Sequence, residues 1–300
     1  MRWLWAALCV ACATSPAPPP QPGEGATADG GVALADAGAV PVPADAVGPA
    51  EIDVGGAGAC GKAGAETGVL RRTVVVDGKM RSYLLSVPAS HQAGVALPLV
   101  FAWHGLGGSA MYFRGAHGLE APANGAAIFV YPDGLPQPGF GNAPGWDLRP
   151  EGDVRLFDAM LAEVTATWCV DRQRVFSTGH SFGGYMTNTL GCLRGQVFRA
   201  IAPVAGGLPM STSACGDRAL PAWLTHGSND PVVPFAQGEG ARDHWRQQAG
   251  CAETSQPVEP AGCVRYDGCQ VPVEWCVHQR MHSWPPFASA AIWKFFDGLK

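Results

Sequence analysis

Apolar positions fall into short runs that alternate with stretches spaced for a helix, and this alternation begins only near Cys60. Val74–Val76, then Asp77-Gly78, then Ser82–Leu85 predict a β-hairpin, because Asp-Gly suits a tight two-residue turn. Leu97–Trp103 and Ala127–Tyr131 are apolar runs ended by Gly or Pro, the mark of buried strands. Val154, Leu156, Phe157, Met160, Leu161 and Val164 recur at helical spacing, with Asp153 the expected N-cap. Further strands are predicted at Arg174–Thr178, Ala200–Val204, Ala222–Thr225 and Val271–Cys276, and further helices near 182–193, 236–249 and 288–298. This order predicts an α/β protein with one open, mostly parallel sheet covered by helices on both faces. The chain has no internal repeat.

Before Cys60 the pattern is different. Arg2, the apolar stretch Trp3–Ala11 and the small residues Ala11-Cys12-Ala13 read as an export signal over residues 1–13. Cys12 is alternatively a lipid-carrying cysteine, although Cys9 stands where such signals usually have Leu. About ten apolar residues fall short of the ~30 Å hydrocarbon core, and no later stretch spans it without charges or prolines, so no transmembrane span is expected. Residues 14–58, rich in Ala, Pro and Gly, predict an extended linker without activity, leaving residues 59–300 as the catalytic body. The expected location is extracellular or periplasmic, with or without a lipid anchor.

Composition and charge narrow the function. The 47% hydrophobic fraction excludes disorder throughout. Of 20 basic and 25 acidic residues, one (Arg2) and six lie before Lys62, which leaves 19 of each sign in the body. A neutral body lacks the clustered Lys and Arg that a nucleic-acid partner requires. Export changes the meaning of the cysteines. Apart from Cys9 and Cys12 there are eight, and an even number in an oxidising compartment predicts disulfides. Eight cysteines allow 105 pairings, and spacing does not choose among them. Zinc is the competing reading, but the short C-x-x-C pairs of common zinc modules are missing.

The strongest chemical signal is Gly179-His180-Ser181-Phe182-Gly183, a G-x-S-x-G pattern between a predicted strand and a predicted helix. Such a turn exposes a strained serine, and glycines on either side let the backbone pass. A serine hydroxyl is a poor nucleophile without a base, and the base needs an acid to orient it. On this architecture the order is serine, acid, histidine. Asp230 sits just past the strand Ala222–Thr225, where active residues of open α/β sheets lie, whereas Asp217 precedes that strand and Asp243 falls on a helix. His282 follows the Val271–Cys276 run, with His278 its nearest competitor. His226 and His180 are expected to pack or hydrogen-bond, and His91, His117 and His244 to lie at the surface. Trp103-His104-Gly105-Leu106-Gly107-Gly108-Ser109 supplies a glycine-rich loop, and the backbone N–H groups of Leu106 and Phe182 are the expected oxyanion-hole donors.

With these residues in view, the chain from about 60 to 300 resembles the secreted α/β-hydrolases that include polyhydroxybutyrate depolymerases, feruloyl esterases and acetylxylan esterases. The landmarks are Arg81-Ser82-Tyr83, the His104–Ser109 loop, Tyr131-Pro132-Asp133-Gly134, Trp146, Asp153-Val154, Cys169-Val170-Asp171, Gly179–Gly184, Ile201–Gly206, the His226–Asp230 loop, His282-x-Trp284-Pro285 and Ile292–Phe296. The resemblance implies an α/β-hydrolase fold in a single domain, with Ser181, Asp230 and His282 as nucleophile, acid and base. It also implies hydrolysis of a polymer-derived or small ester, without metal or organic cofactor. Two features depart from the family pattern. Arg280-Met281 replaces the usual glycines before the histidine, and Phe182 follows the serine where a small residue or Asn is common. Trp146 and Trp284 are the candidate substrate-binding surfaces for an aromatic acyl group. The rival classes are a non-catalytic hydrolase-fold binding protein, which would normally lack a triad member, and a zinc hydrolase using His278, His282 and the late cysteines.

Overall fold

The computed structural model describes Cys60, residues 65–208 and residues 215–299. The expected export signal at 1–13, Cys12 and the linker at 14–58 lie outside the described residues. β1 (Gly68–Val76) and β2 (Lys79–Val87) form the predicted hairpin, with Asp77 at φ 49° and Gly78 at φ 74° in its turn. There follow β3 (Leu97–Trp103), α1 (Ala110–His117), α2 (Glu120–Ala123), β4 (Ile128–Pro132), and a small hairpin of β5 (Leu135–Gln137) and β6 (Ala143–Gly145). The middle of the chain holds α3 (Asp153–Thr167), β7 (Val170–His180), α4 (Phe182–Arg194), β8 (Ala200–Val204) and β9 (Ala222–Gly227). The last part comprises α5 (Phe235–Gln248), β10 (Ser255–Val258), β11 (Cys263–Tyr266), β12 (Val273–His278) and α6 (Ala288–Asp297).

One sheet of ten strands runs in the order β1-β2-β4-β3-β7-β8-β9-β12-β11-β10. Its six central strands, β4 to β12, are mutually parallel, and antiparallel pairs close both edges. The central strands read as continuous apolar runs because both faces are covered. On β3, Leu99, Phe101 and Trp103 enter one core with Phe157 of α3, Met186 and Leu190 of α4, and Trp245 of α5. Val100 and Ala102 enter the other with Phe113 of α1 and Ile292 and Phe296 of α6. Because these strands are parallel, the carboxyl ends of β3, β7, β9 and β12 lie at one edge of the sheet, where the loops carry the chemistry.

The eight cysteines of the body pair as Cys60–Cys169, Cys192–Cys215, Cys251–Cys269 and Cys263–Cys276. Cys263 and Cys276 are direct register partners of β11 and β12, so that bridge locks a strand pairing the sequence does not reveal. The late cysteines are thus committed to one another and are not thiolate ligands for a zinc ion. Among the described residues no helix is long and apolar enough to cross a membrane.

Several expectations need correction. Asp153 is not the N-cap; Gly152 is, and Asp153 is the first helical residue, buried in an ion pair with Arg81 and accepting the Asp147 N–H at 2.8 Å. β7 begins at Val170 rather than Arg174, and the strand expected at 271–276 runs from Val273 to His278. The edge hairpin β10–β11 and the β5–β6 hairpin were not expected from the pattern. His91, His117 and His244 are each half-buried rather than surface residues.

Candidate active site

Ser181 joins β7 to α4 with φ 57° and ψ −119°, a conformation costly for a residue with a Cβ. The turn is held by its own backbone: the Ser181 N–H donates to Val204 O at 2.9 Å, and Ser181 O accepts from Gly184 N–H at 2.8 Å and Tyr185 N–H at 3.1 Å. Gly183 has no room for a side chain, since a Cβ there would lie 2.0 Å from Trp103 O. That close approach brings the end of β3 under the start of α4 and so joins the serine turn to the glycine-rich loop.

The loop His104–Ser109 is fixed at every turn. Gly134 N–H donates to His104 Nε2 at 3.0 Å, which leaves Nδ1 as the protonated nitrogen, donating to Gly105 O at 2.7 Å. Burial holds the His104 pKa down, in keeping with a neutral ring. Gly105 O also accepts the Gly108 N–H at 3.0 Å, and Gly107 N–H donates to Pro144 O at 2.8 Å. Asp133 accepts from Ala110 N–H at 2.8 Å and Ser82 Oγ–H at 2.9 Å, which ties the far end of the loop to β4 and accounts for the Tyr131–Gly134 motif. A Cβ on Gly105 would sit 3.2 Å from Ser181 Cβ, so the loop backbone lies directly against the serine. The Gly105 carbonyl is engaged by two donors, so the Leu106 N–H, at the opposite side of the same trans peptide, points away from them. Among the described residues neither this N–H nor that of Phe182 donates to a backbone carbonyl in the loops and turns.

Asp230 and His282 come together as expected: His282 Nδ1 lies 2.7 Å from Asp230 Oδ2. The other carboxylate oxygen accepts the Val232 and Val233 N–H groups, each at 2.9 Å. Burial pushes the Asp230 pKa up, but the bonds from His282 and from these two N–H groups outweigh it, and the net value lies below the ordinary 3.8. His226, behind the pair, is buried and kept neutral by desolvation; its Nε2 donates to Val233 O at 2.9 Å and lies 3.4 Å from Asp230 Oδ2. His278, the competitor, ends β12 with both ring nitrogens buried and without partners among the described residues. It does not reach Asp230.

Ser181 Oγ makes no hydrogen bond among the described residues; the contact beside it is between rings, with His180 4.9 Å from His282 by centroid. His180 stands 5.9 Å from His117, and His117 stacks on Trp284 at 4.7 Å. Burial lowers His180 to about 3 and His117 to about 4, so both rings are neutral at ordinary pH. The expected surface residue His117 is therefore part of the packing behind the histidine. Its position at the end of α1 carries no sequence signal, because the segment lacks a distinctive motif.

The two tryptophans behave differently. Trp146 is 1% exposed, donates its indole N–H to His104 O at 2.7 Å and meets Trp103 edge to face at 5.0 Å. It supports the loop from below and offers no face to a ligand, which corrects the expectation of a substrate contact. Trp284 is half-buried, with its indole N–H on Ser289 Oγ at 3.0 Å. A residue the sequence did not single out, Phe140, lies 5.7 Å from Phe182 by ring centroid and is 56% exposed.

Known proteins of similar sequence and fold identify the family. The prolyl oligopeptidase family model matches residues 149–229, which include Ser181. A probable feruloyl esterase C of Aspergillus terreus is 35% identical over 237 residues, covering 73% of this chain and 84% of that protein. Feruloyl esterase D of Neurospora crassa is 32% identical over 276 residues, covering 83% of this chain and 92% of that protein. Among solved structures, an acetyl xylan esterase from Aspergillus awamori superposes with a TM-score of 0.58 at 14% identity, over 76% of this chain and 99% of that one, a likeness of fold. A chain so similar to those relatives over most of their length belongs to the feruloyl esterase family, serine carboxylic ester hydrolases on the α/β-hydrolase fold.

Proposed function

We propose that this esterase hydrolyses hydroxycinnamoyl esters, feruloyl esters of plant polysaccharides above all, through Ser181, His282 and Asp230. The observation that carries the catalytic assignment is the 2.7 Å bond from His282 to the ionised Asp230, beside the strained turn of Ser181. The names of the relatives support the acyl group. Asp230 holds the proton of His282 on Nδ1, which leaves Nε2 free to take the proton of Ser181. Ser181 Oγ then attacks the ester carbonyl, and the negative oxygen is held by the N–H groups of Leu106 and Phe182. The latter opens α4, a 13-residue helix whose N-terminus favours negative charge. As the tetrahedral species collapses, the leaving alcohol takes the proton from His282 Nε2 and the acyl group stays on Ser181. Water enters, gives its proton to His282 and attacks the acyl-enzyme. The carboxylic acid departs and Ser181 recovers its proton.

The same reading places the chain outside the reducing cytosol, supported by four disulfides in the body. Residues 1–13 act as the export signal and 14–58 as a spacer ahead of the catalytic domain at 59–300. The intact mass of the exported protein separates cleavage after Ala13 from a lipid on Cys12. The activity itself is tested with methyl ferulate, acetylated xylan and soluble hydroxybutyrate oligomers in parallel, with Ser181→Ala as control. Serine-dependent release of ferulate is expected. Turnover of only one of the other two substrates would overturn the substrate assignment.

A further inference from the structure

The β5–β6 hairpin has no part in either core, yet it is built firmly against the site. Its turn starts with Pro138, is closed by Asn142 N–H on Gln137 O at 3.0 Å, and carries Gly141 at φ 64° and Asn142 at φ 62°. Gly107 N–H, one residue beyond the expected oxyanion donor, donates to Pro144 O on the hairpin at 2.8 Å. From the other side, the Phe182 ring lies on the hairpin backbone at Gly145, where a Cβ would come within 2.7 Å of Phe182 Cε1. Phe140, at the end of the turn, stands with its ring tilted 56° to that of Phe182 and remains 56% exposed. Leu106, on the adjoining loop, is 39% exposed. A single exposed apolar side chain is ordinary, but this one is held in place through bonds to the loop and packing on the residue after the serine.

The topology indicates which part of an ester meets it. His282 follows β12, three strands from β7 in one direction, whereas the hairpin follows β4, two strands away in the other. The leaving alcohol must face His282 to take its proton. With the oxyanion directed at the Leu106 and Phe182 N–H groups, the acyl chain is left pointing toward the β4 side, where Phe140 stands. We infer that Phe140 is a specificity-determining residue that, with Phe182, forms an aromatic wall for a planar aromatic acyl group. Aromatic rings 4.5–7 Å apart in tilted arrangements attract beyond the area they bury, and the Phe140 ring is accessible to a third ring. This inference rests on the reading of Ser181 as the nucleophile of a hydroxycinnamoyl esterase.

The test compares kcat/KM for methyl ferulate, aromatic on the acyl side, with that for phenyl acetate, aromatic on the alcohol side, using the oxidised full-length chain. In Phe140→Ala the ratio of methyl ferulate to phenyl acetate should fall about tenfold, and Phe140→Tyr should restore it. An unchanged ratio in Phe140→Ala, or a ratio that moves the other way, would overturn the inference while leaving the esterase reading intact. A wild-type chain that cleaves phenyl acetate and not methyl ferulate would overturn the hydroxycinnamoyl reading itself, and this inference with it.

Discussion

The carboxylate of Asp230 receives three hydrogen bonds, from His282 Nδ1 at 2.7 Å and from the N–H groups of Val232 and Val233 at 2.9 Å each. Two of those donors are backbone, so the carboxylate is fixed before it meets the imidazole. Its orientation belongs to the loop after β9, and His282 is aligned by a group that has no freedom to follow it. Preorganisation of this kind is what an electrostatic catalyst requires.

Asp230→Asn should leave the fold and the loop in place and cost about ten-thousand-fold in kcat, the loss seen when the equivalent acid is neutralised in other serine triads. KM for methyl ferulate should change little. Steady-state kinetics on the purified variant give both numbers, and a loss under tenfold would show that Asp230 does not set the tautomer of His282.

The acid sensitivity of the fold should include a histidine contribution. Burial lowers His180 to about 3 and His117 to about 4, from an ordinary 6.5. Between those values and 6.5 the unfolded chain binds protons that the folded chain refuses, so stability is complete above 6.5 and falls as pH drops through the window. In His180→Phe the stability lost between pH 7 and pH 4.5 should be smaller than in the wild type. Urea unfolding at the two pH values measures it, and an equal loss in both proteins would exclude His180 as a contributor.

Trp146 should act through the loop it holds. Trp146→Phe keeps an aromatic ring at the position and removes the hydrogen bond to His104 O. The expected effect is a kcat lowered severalfold to tenfold, with KM for methyl ferulate unchanged, because the Leu106 donor loses its fixed position. A raised KM with unchanged kcat would instead make Trp146 a substrate contact.

How much of the fold and site is legible in the sequence follows from the physics of each element. The central strands stood out because burial on both faces produces unbroken apolar runs such as Leu97–Trp103 and Ala200–Val204. Ser181, Asp230 and His282 stood out because each follows a strand in a recognisable loop. The edge pair β10–β11 has neither advantage: Ser255-Gln256-Pro257-Val258 is half polar, and its neighbour strand is held through the Cys263–Cys276 bridge. Bridges of this kind depend on register, which spacing along the chain does not encode. Asp153 looked like a helix cap because its partner, Arg81, lies 72 residues away. Trp146 and Phe140 sit in the same Gly- and Pro-rich segment, and only the tertiary contacts separate the buried ring from the exposed one.

The disulfides should differ in worth. Cys60–Cys169 spans 109 residues and Cys263–Cys276 spans 13. On chain entropy alone, removing the first by paired Ser substitutions should cost about 5 kcal/mol and the second about 3 kcal/mol. Urea unfolding of the two double variants tests the order, and a larger loss for the shorter loop would show that native packing around Cys263 and Cys276 dominates.

The most direct test of the account is labelling with a fluorophosphonate, which reacts with an activated serine, followed by mass mapping of the peptides. A single adduct on Ser181 is expected, absent in Ser181→Ala and greatly slowed in His282→Ala, with loss of methyl ferulate hydrolysis in step with labelling. An adduct on another residue, or full hydrolysis by Ser181→Ala, would contradict it.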